Sequence, residues 1–238
     1  MAASPSIAAS TLIEHLGDLP GARGSFLLDR PSTAERVADR LRESMVRGEI
    51  QPGWQMAEQQ LTAALGVSRN TLREAFQILI GERLLTREPH RGVFVRRLVA
   101  DDVRDIYAFR MLVESGALAH PVQLRGLAEM RAAVTEGQSA ARRRLWHDVG
   151  TADVRFHMGV TTLVGSARLD RVMRSVFAEL RLAFQLGPDP RALHEPFLSL
   201  NADICALAER GDSAAASAQM RAYLVAAQEI IVAAVDAG

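Results

Sequence analysis

Residues 61–76, which read LTAALGVSRNTLREAF, constrain the fold of this chain more than any other segment. A short apolar-periodic stretch is followed by Gly66-Val67 and then by a second stretch that opens with polar residues at Ser68. A short helix, a tight turn containing glycine and a second helix form a helix-turn-helix. In that motif the N-terminal residues of the second helix meet base edges in the major groove of DNA. The segment therefore predicts a DNA-reading helix that begins at Ser68.

Within the second helix, polar and apolar positions fall on opposite sides. Ser68 is suited to cap the helix, and Asn70 and Thr71 are suited to bond phosphates or bases. Arg69 and Arg73 are four residues apart and project from one face. The opposite, buried side is predicted to consist of Leu72, Ala75, Phe76 and Leu79.

The flanking sequence completes a winged helix-turn-helix over residues 31–98. A leading helix is predicted to open at Ser32-Thr33 and to end at Gly48. Behind the second helix of the motif, residues 84–87 and 92–96 predict two short strands. The hairpin tip carries His90, Arg91 and Gly92, a composition suited to contact with the DNA backbone. A plain helical hairpin with surface arginines, which never touches DNA, remains the alternative at this point.

The remainder of the chain predicts a mainly α protein. Residues 1–30 are rich in Ala, Ser, Gly and Pro and predict a disordered arm. Residues 99–238 contain no strand signal and predict an all-α helical bundle of about six helices. The predicted helices span residues 101–120, 123–143, 146–164, 167–186, 191–210 and 213–236.

Composition excludes several classes of protein. Hydrophobic content of 48% and charged content of 24% are ordinary for a soluble globular protein. A single cysteine, Cys205, rules out an internal disulfide or a multi-cysteine zinc site. We expect a cytoplasmic protein, because no secretory signal is present and no apolar run approaches the ~18 residues of a membrane span. Residues 31–98 contain 11 Arg and 8 acidic residues, a net charge of +3 that favours a polyanionic partner.

Residues 33–97 resemble the DNA-binding domain of the GntR superfamily. The resemblance rests on Gln51-Pro-Gly-Trp-Gln-Met56, on Leu65-Gly-Val-Ser-Arg-x-x-x-Arg-Glu-Ala75 and on Arg91-Gly-Val-x-Val95. The helical remainder is similar to the FCD effector domain of the FadR-like subfamily. The resemblance implies a ligand-responsive transcription regulator, expected to be a repressor, that binds a pseudo-palindromic operator as a homodimer.

By the same resemblance, Arg69 and Arg73 contact the operator, and Gly92 lets the wing enter the minor groove. One departure concerns Gln59, which stands where many relatives carry an arginine early in the second helix of the domain. We expect Gln59 to face DNA and the operator preference to differ accordingly.

Asp153 and His157 are four residues apart and lie on one helical face, a spacing that suits an ion pair or half of a metal site. FCD domains typically complete such a pair with two further histidines. Here Asn201 and Tyr223 occupy those positions, and both are poor ligands for zinc or nickel. We therefore expect a degenerate divalent-metal site and no firm cofactor, with Asp153 and His157 as residual metal candidates. The four residues are predicted to anchor an effector instead.

A buried arginine in this pocket would suit a small carboxylate effector through bidentate hydrogen bonds. The candidates are Arg110 and, on the fourth effector-domain helix, Arg174 and Arg181. Pairing of Arg110 with Glu114 is an equally weighted alternative. Cys205, one turn from Asn201, is expected to be an inert thiol. An enzyme, such as a metal-dependent hydrolase that uses Asp153 and His157, is the competing class of function.

Overall fold

The computed structural model describes residues 31–119, 123–187 and 189–237. The predicted disordered arm, residues 1–30, lies outside the described residues. The chain divides into two compact units, with the boundary between Arg97 and Leu98.

Over its described residues, 31–97, the N-terminal unit contains three helices and a hairpin. The helices are α1 (Thr33–Val46), α2 (Glu58–Leu65) and α3 (Arg69–Gly81), and the strands are β1 (Leu85–Glu88) and β2 (Gly92–Val95). Helix α1, the start of α3 and both strands lie within two residues of their predicted positions. Ser32 and Glu35 form a reciprocal capping box at the start of α1, with the Glu35 N–H donating to Ser32 Oγ at 3.1 Å. Gly48, just past the end of α1, has a φ of +77°, a conformation that glycine adopts without strain.

The core of this unit lies between α1 and α3, where Leu41, Met45, Leu72, Phe76 and Leu79 are fully buried. The segment before α2 pairs with the outer side of β2: the Met56 N–H donates to the Val93 carbonyl, and the Val95 N–H donates to the Trp54 carbonyl, both at 2.8 Å. This extended segment, which the sequence did not predict, supports the hairpin from the side.

The C-terminal unit is all α. Its long helices are α4 (Ala100–Ala119), α5 (Leu124–Arg142), α6 (Trp146–Thr162) and α7 (Ala167–Phe184). A short α8 (Pro190–His194) and a 3-10 turn (Glu195–Phe197) lead into α9 (Leu198–Glu209) and α10 (Ser213–Ala237). The prediction of a mainly α fold with a winged helix-turn-helix is confirmed.

The prediction of one continuous helix over residues 191–210 is wrong. The chain instead runs through α8, the 3-10 turn and α9. Pro196 explains the break, because proline lacks the N–H that an interior helical residue donates and its ring clashes with the preceding turn.

Two helix pairs dominate the packing of the C-terminal unit, α5 with α6 and α4 with α10. Glycines allow the first pair to approach closely. A Cβ on Gly126 would lie 2.7 Å from the Leu163 backbone nitrogen, and one on Gly159 would lie 2.8 Å from the Met130 nitrogen. In the second pair, Ser217 Oγ donates to the Ser115 carbonyl at 2.8 Å.

Helix α10 qualifies the expectation that no apolar run reaches the length of a membrane span. Its residues Ser213–Asp236 are long and apolar enough by composition, with a mean hydropathy of 1.2. However, Met220, Leu224 and Ile231 are buried in the core of the unit, while Arg221 lies exposed on the other side. This is the pattern of an amphipathic helix that covers a core.

Candidate functional site

The start of α3 presents a row of polar side chains to solvent. Ser68, Arg69, Asn70 and Arg73 are exposed, and Thr71 is half-buried. Ser68 Oγ accepts the Thr71 N–H at 3.0 Å, so this side chain caps the helix as predicted from the sequence. The cap fixes the direction in which the first turn of α3 points.

The two arginines of this row are held differently. Arg73 Nε donates to both carboxylate oxygens of Glu58, at 3.1 and 3.3 Å, and the Arg73 side chain remains 61% exposed. Across the described part of the chain, no acidic side chain pairs with Arg69. Asn70 Nδ2 donates to Glu74 Oε1 at 2.7 Å. Arg69 is therefore an exposed cation that no described acidic side chain holds, whereas Glu58 orients Arg73.

The wing tip depends on two residues with positive φ, His90 at +62° and Gly92 at +114°. Gln55 Nε2 donates to the Arg91 carbonyl at 2.7 Å and fastens the tip to the segment before α2. A Cβ on Gly92 would approach Gln55 Nε2 to 3.2 Å, so the tip favours glycine for space as well as for φ. Gln55 was not singled out from the sequence. Gln59 is exposed on α2.

The C-terminal unit contains a buried polar cluster, which we define as Arg110, Glu114, Asp153, His157, Asn201 and Tyr223. In its first half, Arg110 Nε donates to Glu114 Oε1 at 2.6 Å, and Glu114 Oε2 lies 2.5 Å from His157 Nδ1. Burial favours the neutral carboxyl, but Arg110 and His157 outweigh it and lower the pKa of Glu114. The alternative left open by the sequence, pairing of Arg110 with Glu114, is the arrangement observed.

In the second half of the cluster, Tyr223 lies between His157 and Asp153. Its hydroxyl donates to Asp153 Oδ1 at 2.8 Å and lies 3.1 Å from His157 Nε2. Asn201 Nδ2 donates to the same Asp153 oxygen at 2.8 Å. Burial, followed by the charge of Asp153, raises the pKa of Tyr223 well above 10, so the hydroxyl keeps its proton.

The structure thus brings together five of the seven residues predicted for the effector pocket. Arg174 is exposed on α7 and lies outside the cluster, and Arg181 lies beside the cluster. Glu114 entered the sequence reasoning only as an alternative partner of Arg110, yet it joins Arg110 to His157.

The donor set of the cluster fits a divalent metal poorly. Asp153 Oδ1 already accepts two hydrogen bonds, and both ring nitrogens of His157 have close polar neighbours. Tyr223 offers a protonated hydroxyl, and the amide nitrogen of Asn201 faces the carboxylate. Nowhere in the described residues do three His, Cys, Asp or Glu side chains form a group that can hold a metal.

Beside the cluster lie two buried side chains, Arg181 and His194. Arg181 Nη2 donates to Thr151 Oγ1 at 3.3 Å. Burial, offset only in part by the charge of Asp153, lowers the pKa of Arg181. Burial likewise lowers the pKa of His194 to about 4, so this ring is neutral at pH 7.

Gly150 makes room for both side chains. A Cβ there would lie 2.5 Å from Arg181 Nη1 and 2.5 Å from His194 Nε2. Sequence reasoning missed His194, although a glycine inside α6, Gly150, was a signal of a close approach. On α9, Cys205 is buried, and burial raises its pKa to about 11, which suits an unreactive thiol.

A capped helix with a polar, exposed start, preceded by a tight turn and followed by a hairpin wing, defines a winged helix-turn-helix DNA-binding domain. Joined to an all-α unit with a buried polar cluster, it defines the class of DNA-binding transcription regulators.

Comparison with known proteins identifies the family within this class. Residues 33–95 match the model of bacterial regulatory proteins of the gntR family, and residues 105–226 match the FCD domain. The chain therefore belongs to the GntR family of transcription regulators and carries an FCD effector domain.

Individual relatives are consistent with this assignment. The chain is 29% identical over 183 residues to BphR, an uncharacterized HTH-type transcriptional regulator of Paraburkholderia xenovorans, covering 71% of this chain and 74% of BphR. It is 36% identical over 88 residues to the gluconate operon transcriptional repressor of Bacillus licheniformis, covering 37% and 36% of the two chains. A GntR regulator of known structure from Rhodococcus sp. RHA1 is 37% identical, with a TM-score of 0.79 over 85% of this chain and 99% of that one.

Proposed function

We propose that this regulator is a cytoplasmic repressor that binds a pseudo-palindromic operator as a homodimer and responds to a small carboxylate effector. Similarity to a protein named as an operon repressor supports repression. The exposed polar row at the start of α3 is the single observation that carries the DNA-binding part. It combines a helix cap at Ser68 with an exposed Arg69 and an Arg73 that Glu58 orients.

Substitution of Arg69 tests the DNA-binding part. In fluorescence anisotropy with the gene's own promoter region, Arg69→Ala should weaken operator binding by about 1–3 kcal/mol and relax discrimination at one base position. A phosphate contact would instead weaken all sequences alike and lower the slope of log affinity against log salt by about one unit. Arg125→Ala, at an exposed arginine on α5, is the matched control. If neither Arg69→Ala nor Arg73→Ala changed affinity, the assignment of α3 would be wrong.

Exposed apolar residues on α4 support the homodimer. Phe109 and Leu112 lie three residues apart on one face of the helix, and Leu112 is 79% exposed. Exposed apolar surface on a soluble protein is stabilised by a partner. A two-fold dimer would place two copies of the same face against each other and pair two DNA-binding units with two half-sites.

The proposal that the effector is a carboxylate depends on Arg181 rather than on Arg110. Arg110 is committed to Glu114 inside the cluster, whereas Arg181 lies beside the cluster, is only 4% exposed and has a pKa that burial lowers. An anion beside Arg181 would offset the cost of burying its charge. In a thermal-shift screen, an effector at 100 times its Kd should stabilise the protein by about 2.7 kcal/mol. Arg181→Met should abolish that shift.

The competing hypothesis, a metal-dependent hydrolase that uses Asp153 and His157, is not favoured. Asp153 and His157 are engaged with Tyr223, Asn201 and Glu114 in a closed set of hydrogen bonds. Neither is free to activate a water molecule without breaking that set.

A further inference from the structure

Three consecutive arginines, Arg142–Arg144, lie where α5 ends, and we define them as the arginine cluster. All three are exposed, and no acidic side chain among the described residues pairs with any of them. Other exposed arginines of α5 are paired, Arg125 with Glu129 and Arg131 with Glu209. The arginine cluster is therefore a patch of positive charge that the described part of the chain does not neutralise.

The charge of the arginine cluster is opposite to that of the unit around it. Residues 99–238 contain 15 Arg and 17 acidic residues, a net charge of −2. Without the three arginines of the cluster, 12 Arg remain against the same 17 acidic residues, a net charge of −5. A concentrated positive patch on an otherwise acidic unit favours an anionic partner.

The end of α5 explains one of these arginines but not all three. Arg142 lies in the last turn, where the helix dipole favours a cation. Arg143 is the C-cap, and Arg144, the next residue, has a φ of +59°. This position after a helix is usually glycine, because other side chains are strained in the left-handed region. An arginine that remains there in place of glycine indicates that its side chain has a role.

The packing of α6 against α4 shows at which end of the C-terminal unit the arginine cluster lies. His157 Nδ1 lies 2.5 Å from Glu114 Oε2, and Asp153 interacts electrostatically with Tyr107. From Asp153 to His157, α6 therefore advances in the same direction as α4 does from Tyr107 to Glu114. The two helices begin at the same end of the unit.

That end is where the chain enters the unit. Ala100, the first residue of α4, is seven residues before Tyr107, and Trp146, the first residue of α6, is seven residues before Asp153. Each distance corresponds to about two helical turns. The arginine cluster directly precedes α6, and the boundary with the DNA-binding unit, at Arg97, directly precedes α4.

We propose that the arginine cluster is a second DNA-binding surface, which binds phosphates of the duplex outside the segment that α3 and the wing contact. The planar guanidinium group matches the geometry of phosphate oxygens and can bind two of them at once. This inference rests on DNA binding by the N-terminal unit and adds a contact from the C-terminal unit. Because phosphates carry no sequence information, the contact raises the affinity for any DNA alike.

The test replaces all three arginines of the cluster by glutamine in the full-length protein. Fluorescence anisotropy, between about 0.05 and 0.2 M salt, compares a duplex from the gene's own promoter region with an unrelated duplex of equal length. The slope of log affinity against log salt should fall by about two to three units. At about 0.1 M salt, the affinity for both duplexes should fall by about 10-fold or more, and their ratio should stay unchanged.

A matched control removes the same charge elsewhere on α5 and α6. Arg125, Arg131 and Arg155 are exposed, and each is paired with a glutamate. Their combined replacement by glutamine should change the slope by less than about one unit. An effect as large as that of the cluster variant would show that net charge is responsible, and the inference would be wrong.

Arg144→Gly separates the proposed contact from a defect in folding. Glycine removes the strain at a φ of +59°, so Tm should rise, while the salt slope should fall by about one unit. If the slope of the triple variant and its affinity for both duplexes equalled those of the unmodified protein, the inference would be overturned. A loss of affinity with Arg69→Ala would still support the proposed function in that case. If the unmodified protein bound neither duplex, both the inference and the proposed function would fail.

Discussion

Replacement of Tyr223 by phenylalanine removes one oxygen atom from the centre of the buried cluster and keeps the aromatic ring. The ring contacts with His157 and Phe197, at centroid distances of 4.9 and 4.7 Å, are preserved. The hydrogen bond to Asp153 Oδ1 is lost, and His157 Nε2 loses its neighbour at 3.1 Å.

The expected cost follows from those two losses. A hydrogen bond to a charged group contributes about 1.5–3 kcal/mol, and a buried polar atom left without a partner costs about 1–3 kcal/mol. Tyr223→Phe should therefore destabilise the protein by about 3 kcal/mol, which lowers Tm by about 10 °C for a unit of this size. Urea unfolding followed by circular dichroism measures the change, and Val225→Ala, at an exposed position on the same helix, should stay within about 0.5 kcal/mol.

The same substitution should make the protein more sensitive to acid. The folded-state pKa of Asp153 lies below its ordinary value of 3.8, so this group contributes stability above that pH and loses it as the pH falls through the lower, folded value. Loss of the Tyr223 donor raises the folded pKa toward 3.8, and the midpoint of acid unfolding moves to higher pH. A loss of stability below about 0.5 kcal/mol, with an unchanged acid midpoint, would refute this account of the cluster.

Three further outcomes are expected. The double variant Asn201→His, Tyr223→His should gain tight zinc binding by calorimetry, whereas chelator should leave DNA binding and Tm of the unmodified protein unchanged. Leu112→Glu should convert the proposed homodimer to monomers in sedimentation equilibrium; a dimer that persisted would exclude this face as the interface. Gly150→Ala should cost about 1–3 kcal/mol, because its Cβ meets a buried guanidinium and imidazole, while Gly116→Ala, which has open space, should not destabilise the protein.

Local signals in the sequence were sufficient for the N-terminal unit. The Ser32 and Ser68 caps, the turn at Gly66 and the end of α1 at Gly48 depend on neighbours within a few residues. Such features follow from helix capping and from the conformational freedom of glycine. The boundaries of α1, α2 and α3 were therefore predictable.

The site in the C-terminal unit was only partly predictable. Asp153 and His157 share a helical face, and the family resemblance added Asn201 and Tyr223. Whether Arg110 pairs with an acidic side chain of the protein or with the carboxylate of a bound effector depends on tertiary packing, since a guanidinium suits both. His194 lies far from these motifs in sequence, and no local pattern connects it with Asp153.

The position of Pro196 in the sequence does indicate the break between α8 and α9. Proline inside a helical pattern usually ends or kinks the helix. If Pro196 is taken as the end of a helix, the predicted helix over residues 191–210 divides in two. His194 then lies at the end of a separate short segment, as it does in α8.

An arginine attracts DNA at long range by its charge and binds it at contact distance by hydrogen bonds. The Glu58–Arg73 pair separates these two properties. At distances beyond a Debye length, the carboxylate cancels the charge of the guanidinium, so Arg73 adds little to the attraction between this unit and any DNA. The hydrogen bonds to Glu58 come from Nε, so the terminal N–H groups remain able to form directional hydrogen bonds at contact distance. Arg69, which has no such companion, keeps both properties. We therefore expect Arg69 to contribute to encounter with DNA of any sequence, and Arg73 to contribute only once α3 is seated in the groove.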